Sequence, residues 1–157
     1  MIEVVRQRQV DGAPAEVWAV VTDPDQAPNW FTFAERVEVL DNSAGGVGQR
    51  QRQYGRWGKR QAEVDREITE YDPPHGYAWR HLAERLDGKP APQFTRSTDF
   101  QIRLEPAGEG TLVRLRTRQE PASAVKGLVM RAFGTRDVAS QMDRSLDRLA
   151  ALFGSAS

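Results

Sequence analysis

The sequence predicts an α+β fold in which a curved antiparallel sheet of about seven strands wraps round a long C-terminal helix, with two short helices after the first strand. Three observations lead there. Pro14 opens a short helix, because its preset φ and missing N–H suit a first helical turn, and Val17, Val20 and Val21 repeat behind it at helical spacing. Turn-forming clusters at Asn42-Ser43-Ala44-Gly45-Gly46, Gly58, Asp72-Pro73-Pro74-His75-Gly76, Asp87-Gly88-Lys89-Pro90 and Ala107-Gly108 then divide the middle of the chain into short alternating runs. Finally, Val138, Met142, Leu146, Leu149 and Phe153 form one apolar helical stripe near the end.

Each element follows in order. Ile2, Val4 and Val10 share one parity in residues 2–10, so the first strand carries Arg6 and Arg8 on its apolar side. A helix over 14–22 follows, and Asp23 can cap a second short helix leading to Trp30-Phe31. Strands are expected at 35–41, 47–57, 60–72, 76–86, 94–105 and 110–119, joined by connections short enough for an antiparallel meander. The segment from Ser123 to Phe153 would reach about 45 Å as a helix, enough to lie across the sheet. Gly127 and Gly134 predict a bend or a mobile entrance in its first part. Residues 1–153 read as one domain and 154–157 as a loose tail.

Composition narrows the function classes. Lys plus Arg equals Asp plus Glu at 22 each, which argues against nucleic acid and gives no global attraction to anionic membranes. With no cysteine there is no disulfide, no thiolate metal site and no cysteine nucleophile. Met1–Arg6 carries no apolar run of signal-peptide length, and nothing approaches the roughly 20 apolar residues of a membrane span. A soluble chain without membrane insertion is therefore expected, with the cytoplasm as its default location, as a monomer or homodimer. His75 and His81 make no recognisable zinc pattern, no glycine-rich strand-to-helix turn suggests phosphate binding, and Ser97 alternates away from the inner face, so no metal, cofactor or covalent nucleophile is expected.

Gly12-Ala13-Pro14-Ala15-Glu16-Val17-Trp18, Thr22-Asp23-Pro24, Trp30, Val47-Gly48, Glu70-Tyr71-Asp72-Pro73-Pro74, Gly110-Thr111 and Leu146-Asp147-Arg148-Leu149 occur in the order and spacing of a known family. Over nearly its whole length the chain resembles the START-like (SRPBCC, helix-grip) superfamily, specifically the bacterial polyketide cyclase/dehydrase and lipid-transport branch. The resemblance implies a cavity between sheet and helix that holds a hydrophobic or amphipathic ligand. One departure stands out: Ala27 and Ala34 lie where aromatase/cyclases of the superfamily tend to carry Trp and Tyr, so their ring-closing chemistry does not transfer residue by residue.

Strand parity nominates the residues facing such a cavity. Ala62, Val64 and Ile68 bring Arg66 inward, and Glu70 with it; Arg66 and Arg96 would together hold ligand oxygens, or Glu70 would neutralise one of the two. Tyr77, Trp79, His81 and Ala83 share the next inner face; Phe94, Phe100, Ile102 and Leu104 bring Arg96 and Thr98. No apolar neighbour sets the parity of Arg50, Arg52, Tyr54 and Arg56, which leaves Tyr54 and Trp57 as candidate liners of undecided side. The expected catalytic groups are His81, an acid or base able to titrate near neutral pH, and Arg66, a guanidinium for developing oxyanion charge. Trp30, Tyr54, Trp79, Arg96, Thr98, Phe100, Met130 and Phe133 are the expected ligand contacts.

These residues suggest a cofactor-free cyclase or dehydratase acting on a small polyketide-like molecule. The same face would also serve a noncatalytic lipid or quinone carrier, and a partner-binding regulatory module would instead predict a filled interior.

Overall fold

The computed structural model describes residues 1–41, 46–93 and 95–154, without the side chain of Phe133. Strand β1 (Ile2–Val10) leads into helix α1 (Pro14–Val21), a 3-10 turn (Pro24–Gln26) and helix α2 (Ala27–Trp30). Strands β2 (Arg36–Val39), β3 (Arg50–Trp57), β4 (Arg60–Asp72), β5 (Gly76–Leu86), β6 (Lys89–Pro90), β7 (Thr95–Ala107) and β8 (Gly110–Pro121) follow. The helical C-terminal segment runs through α3 (Ala124–Val129), a π-helical turn (Met130–Gly134) and α4 (Thr135–Leu152). The sheet order is β1-β8-β7-β5-β4-β3-β2, with antiparallel pairing throughout and the short β6 paired to β5. The Asn42–Gly45 part of the expected β2–β3 connection and Phe94 lie outside the described residues.

Local chemistry accounts for the ends of these elements. Pro14 sits in the first turn of α1, and the Thr22 hydroxyl closes its last turn by donating to the Trp18 carbonyl at 2.7 Å. The Asp23 carboxylate accepts the Asp25 N–H at 3.0 Å, capping the 3-10 turn before α2. Trp18 anchors α1 by edge contacts to Tyr71 and Tyr77, with ring centroids 5.4 and 6.0 Å away. A Cβ at Gly12 would lie 2.5 Å from Phe153 Cδ1, so only glycine allows the end of the long helical segment to approach here.

Helix α4 lies in the grip of the sheet. Met142, Leu146, Leu149 and Ala150 are buried in the core, with Val138 and Phe153 packed at its margins. Arg6 and Arg8 share the face of Ile2 and Val10, and they reach across to α4: Arg6 Nε meets Asp143 Oδ1 at 2.8 Å, and Arg8 pairs with Asp147. The backbone N–H of Thr32 donates to Ser145 Oγ at 3.0 Å, and the Thr32 hydroxyl donates to the Gln141 carbonyl at 2.9 Å. Apolar burial supplies the energy; these polar contacts set the helix's position.

On the convex face, β3, β4 and β5 carry a lattice of cross-strand ion pairs. Arg52 Nε lies 2.7 Å from Asp65 Oδ1, Arg85 Nη2 2.8 Å from the same oxygen, and Arg85 Nε 2.9 Å from Glu63. Of the alternating arginines of β3, Arg52 belongs to this lattice, while Arg56 pairs with Glu35 at 3.0 Å. Hydrogen bonds from Arg85, then from Arg52, hold Asp65 down to about 2.

Leu149 is fully buried, so Leu149→Ala is expected to cost about 2–5 kcal/mol in urea unfolding, whereas Arg6→Gln, which removes a solvent-exposed pair, should cost less than about 1 kcal/mol. Asp65→Asn tests the lattice through pH. The low folded-state pKa of Asp65 contributes stability fully above its unfolded value near ~4 and loses it as pH falls through about 2. The wild-type advantage over the variant, about 1 kcal/mol for this partly solvated network, should be present at pH 6 and absent near pH 2.

Candidate functional site

Between the sheet, the Phe31–Phe33 segment and the start of α4 lies a chamber of about 230 Å³. Phe31, Phe33, Trp79 and Phe100 form its aromatic wall. Trp79 and Phe100 are cross-strand partners and stack with centroids 4.7 Å apart at 5° between planes. Phe31 meets both edge-on, at 5.7 and 5.3 Å. A second space of about 270 Å³, bordered by Trp57, Pro92 and Met130, shares Val64, Glu84 and Gln119 with the first. The two form neighbouring parts of one hollow beneath the helical segment.

The rest of the lining is largely polar: Thr32, Gln53, Arg56, His81, Glu84, Thr98, Thr117, Gln119 and Gln141 border the chamber, with Val64 and Val138 between them. Among the described residues, His81 Nδ1 and Thr117 Oγ1 are two of the few buried side-chain polar atoms without a hydrogen-bond partner. Such atoms are rare in protein interiors, because an unpaired buried polar group loses its water without compensation. Here both belong to residues that line the chamber, where a ligand's oxygens would meet them.

A register shift brings His81 and Glu84 together. Asp65 pairs with Ala83 and Arg66 with His81, so Leu82 is an extra residue in β5. Residues three apart on a regular strand face opposite sides; the bulge turns both of these to the same hollow. His81 Nδ1 and Glu84 Oε2 lie 3.9 Å apart, within ion-pair range but beyond a hydrogen bond. Interaction with the imidazole holds the Glu84 carboxyl below the usual carboxylate range and outweighs the opposing effect of burial. Ala83, expected inward by simple alternation, is exposed.

Two more shifts redirect expected liners. Ile68 pairs with Trp79 but Glu70 with Ala78, leaving Thr69 extra in β4. Glu70 therefore does not neutralise Arg66; it takes Arg103 at 3.1 Å and accepts from Gln101 at 3.0 Å. Thr95 pairs with Pro121 and Ser97 with Glu120, which makes Arg96 the extra residue of β7. Arg96 is exposed, 3.7 Å from Glu120, and lies away from the chamber that Thr98 and Phe100 line. Tyr54 also lies outside it, on the opposite side of β3: Arg36 sits over its ring at 4.2 Å and its hydroxyl faces Glu38.

The inward side of β3 is polar instead. Gln49, Gln51 and Gln53 are buried there, with Arg66 from β4, itself only 5% exposed. Gln51 Oε1 accepts from Arg66 Nε at 3.0 Å and Nη2 at 2.8 Å, and Gln53 Oε1 accepts from Nη1 at 3.0 Å. The guanidinium lies 3.9 Å from the Trp79 ring centroid. Burial lowers the Arg66 pKa to about 10, which leaves the group charged at neutral pH. Burial also pushes the nearby Tyr77 phenol up. Arg66 borders only a small void, with Trp30 and Asp23, whereas Trp79 borders both that void and the chamber.

The structure thus gathers Trp79, His81, Thr98 and Phe100 in one chamber and puts Met130 in the adjoining space. Arg66 and Trp30 lie behind Trp79, Tyr54 and Arg96 lie elsewhere, and the side chain of Phe133 is outside the described residues. Sequence reasoning missed Glu84, which only the bulge turns inward, and Thr117, whose face follows from alternation with the buried Val113 and Leu115. No group of three or more His, Asp or Glu among the described residues is arranged to hold a metal ion. No helix of the described residues is long and apolar enough to cross a membrane.

A curved sheet closed over a lined hollow by a C-terminal helix defines the helix-grip fold. The chain belongs to the polyketide cyclase / dehydrase and lipid transport family, which it matches over residues 1–154. Its fold is similar to that of Ara h 8.0201, with a TM-score of 0.73 and 14% identity over 99% of each chain. It is likewise similar to XoxI from Bacillus cereus, with a TM-score of 0.72 and 11% identity over 99% of this chain and 97% of that one. A third likeness is to TTHA0849 from Thermus thermophilus, with a TM-score of 0.69 and 19% identity over 99% of this chain and 100% of that one. No curated protein matches the chain by sequence. The family indicates a hydrophobic ligand-binding domain.

Arg66→Ala is expected to cost about 3 kcal/mol in urea unfolding, since it strands the buried carbonyls of Gln51 and Gln53. A neutral or stabilising outcome would instead mean that the desolvation cost of the buried charge equals or exceeds what its hydrogen bonds return.

Proposed function

We propose that the protein binds a small hydrophobic, polyketide-like molecule in the chamber and acts on it as a cofactor-free cyclase or dehydratase, with His81 as the acid–base group. The observation that carries this reading is a partly buried imidazole whose Nδ1 makes no hydrogen bond, lining an aromatic chamber 3.9 Å from Glu84. In a dehydration, neutral His81 removes the proton on the carbon next to a ketone, and the electron pair moves onto the carbonyl oxygen. The enolate then expels a β-hydroxyl, which takes the proton back from the imidazolium and leaves as water. Glu84, ionised at neutral pH, stabilises the imidazolium between the two steps. The aromatic rings hold a flexible chain in few conformations, and this restraint lowers the entropic part of the barrier.

Arg66 has no part in this chemistry, because it does not border the chamber that His81 lines. That favours a second reading, a noncatalytic carrier for a lipid or quinone, since His81, Glu84 and Arg56 are then the only ionisable side chains lining the chamber among the described residues.

Native mass spectrometry of the protein from its own source identifies the bound molecule, and turnover of that molecule and its ketone precursors is then followed for wild type and His81→Gln. The expected result is a fall of about 10²–10⁴-fold in kcat with ligand affinity changed less than about threefold. Unchanged turnover in His81→Gln would exclude the proposed acid–base role. A lipid or quinone recovered unaltered after incubation would establish the carrier.

A further inference from the structure

Helix α3 turns its apolar side to solvent. Val125, Leu128 and Val129 are 72%, 71% and 43% exposed, and their i, i+3, i+4 spacing makes them one stripe. The opposite side of the helix holds it to the protein: Gly127 is buried so close to Pro121 that a Cβ would lie 3.1 Å from the proline ring. The stripe is therefore left outward by the seating of the helix, not by fraying. Three residues after Gly127, Met130 borders the larger part of the hollow, and Trp57, 61% exposed, stands on the same border.

Cations outnumber acids about this stripe, where Glu120 shares a recess with Leu128 and Arg131 but pairs with Arg96 at 3.7 Å, and Asp137 follows Arg136. Residues 121–136 contain Lys126, Arg131 and Arg136 and no acidic residue, although the whole chain is neutral. Arg131 and Arg136 are exposed, and Lys126 also donates to the Gln93 carbonyl at 2.8 Å, tying α3 to the loop beside the hollow. An apolar stripe flanked by cations, with an exposed tryptophan at its edge, has the chemistry of a surface that lies in the headgroup layer of an anionic bilayer. A protein partner would need complementary shape, whereas a bilayer needs only this combination of apolar and cationic groups.

We propose that α3 and the rim at Trp57 dock peripherally on anionic lipid surfaces, with the stripe in the interface and the hollow facing the membrane. The docking rests on the hydrophobic-ligand reading only in giving the ligand a route that avoids water, and it does not depend on turnover at His81.

The test uses the full chain with vesicles of phosphatidylcholine alone or mixed with equal parts of phosphatidylglycerol, at low and at physiological salt. Trp18, Trp30 and Trp79 are at most 9% exposed, so a blue shift and brominated-lipid quenching that disappear in Trp57→Phe report on the rim. Wild type is expected to sediment with the anionic vesicles and to bind neutral ones about 100-fold more weakly. Val125→Glu with Leu128→Glu should lower binding to the anionic vesicles roughly tenfold or more, with far-UV circular dichroism and Tm unchanged because both sites are exposed. Equal binding to both vesicles, or full binding by the double variant, would overturn the proposal. So would a dimer in solution that the double variant dissolves, since a second copy would then cover the stripe. Because these readouts need neither ligand nor product, they stand or fall apart from the acid–base reading.

Discussion

Arg66 is a full positive charge taken out of water, and much of the inner wall is organised round it. Among the described residues it has no carboxylate in ion-pair range; two glutamine carbonyls and the face of Trp79 take that place. Amide oxygens and a ring face compensate a guanidinium only when each is held at the right distance and angle. That requirement reaches outward. Gln51 also donates to Gln49 at 2.7 Å and to the Tyr77 hydroxyl at 3.3 Å, while Gln53 donates to the Phe33 carbonyl at 3.3 Å. A charge buried behind Trp79 thereby fixes the orientation of an aromatic wall and of the Phe31–Phe33 segment, both of which border the chamber.

Against this rigid half stands a looser one. The other wall is the helical segment from α3 into α4, and a π-helical turn interrupts it at Met130–Gly134, beside the hollow. A π turn widens the helix by one residue and weakens its hydrogen-bond ladder, so it is a natural place for a helix to give. Below that turn, α4 is anchored at Ser145, Asp143 and Asp147. The fold thus sets a π-helical turn at the rim of the hollow between two anchored stretches, α3 held at Pro121 and Gln93 and α4 held at Ser145, Asp143 and Asp147.

How far the sequence reveals this site depends on where alternation holds. The helical stripe from Val138 to Leu149, the inward Arg6 and Arg8, and the shared chamber of Trp79, His81, Thr98 and Phe100 follow from unbroken periodicity of 3.6 or 2. Alternation fails at three extra residues, Thr69, Leu82 and Arg96, each of which reverses the facing of the strand on one side of it. Glu70 and Arg96 leave the inner face for this reason, and Glu84, though exposed, is turned to the border of the hollow. None of the three bulges carries a glycine, so no local residue announces them. Strand β3 fails differently: its buried side is three glutamines, and a polar inner face erases the contrast by which parity is read.

The polar content of the chamber wall bears on why the hollow exists. A core of this size would ordinarily close over its own apolar side chains, since a dry void forfeits contacts on one side. Here the wall mixes stacked rings with Thr98, Thr117, His81 and Gln119, and closing aromatic faces over such groups would bury polar atoms with no partner to replace water. Filling the chamber with side chains would strand more donors and acceptors than it would bury carbon. An occupant with an apolar body and one or two oxygens satisfies both sets at once, so the composition of the wall argues against the filled interior of a purely regulatory module. It also gives a use to the unpartnered atoms of His81 and Thr117, which lie where the oxygens of such an occupant would reach them.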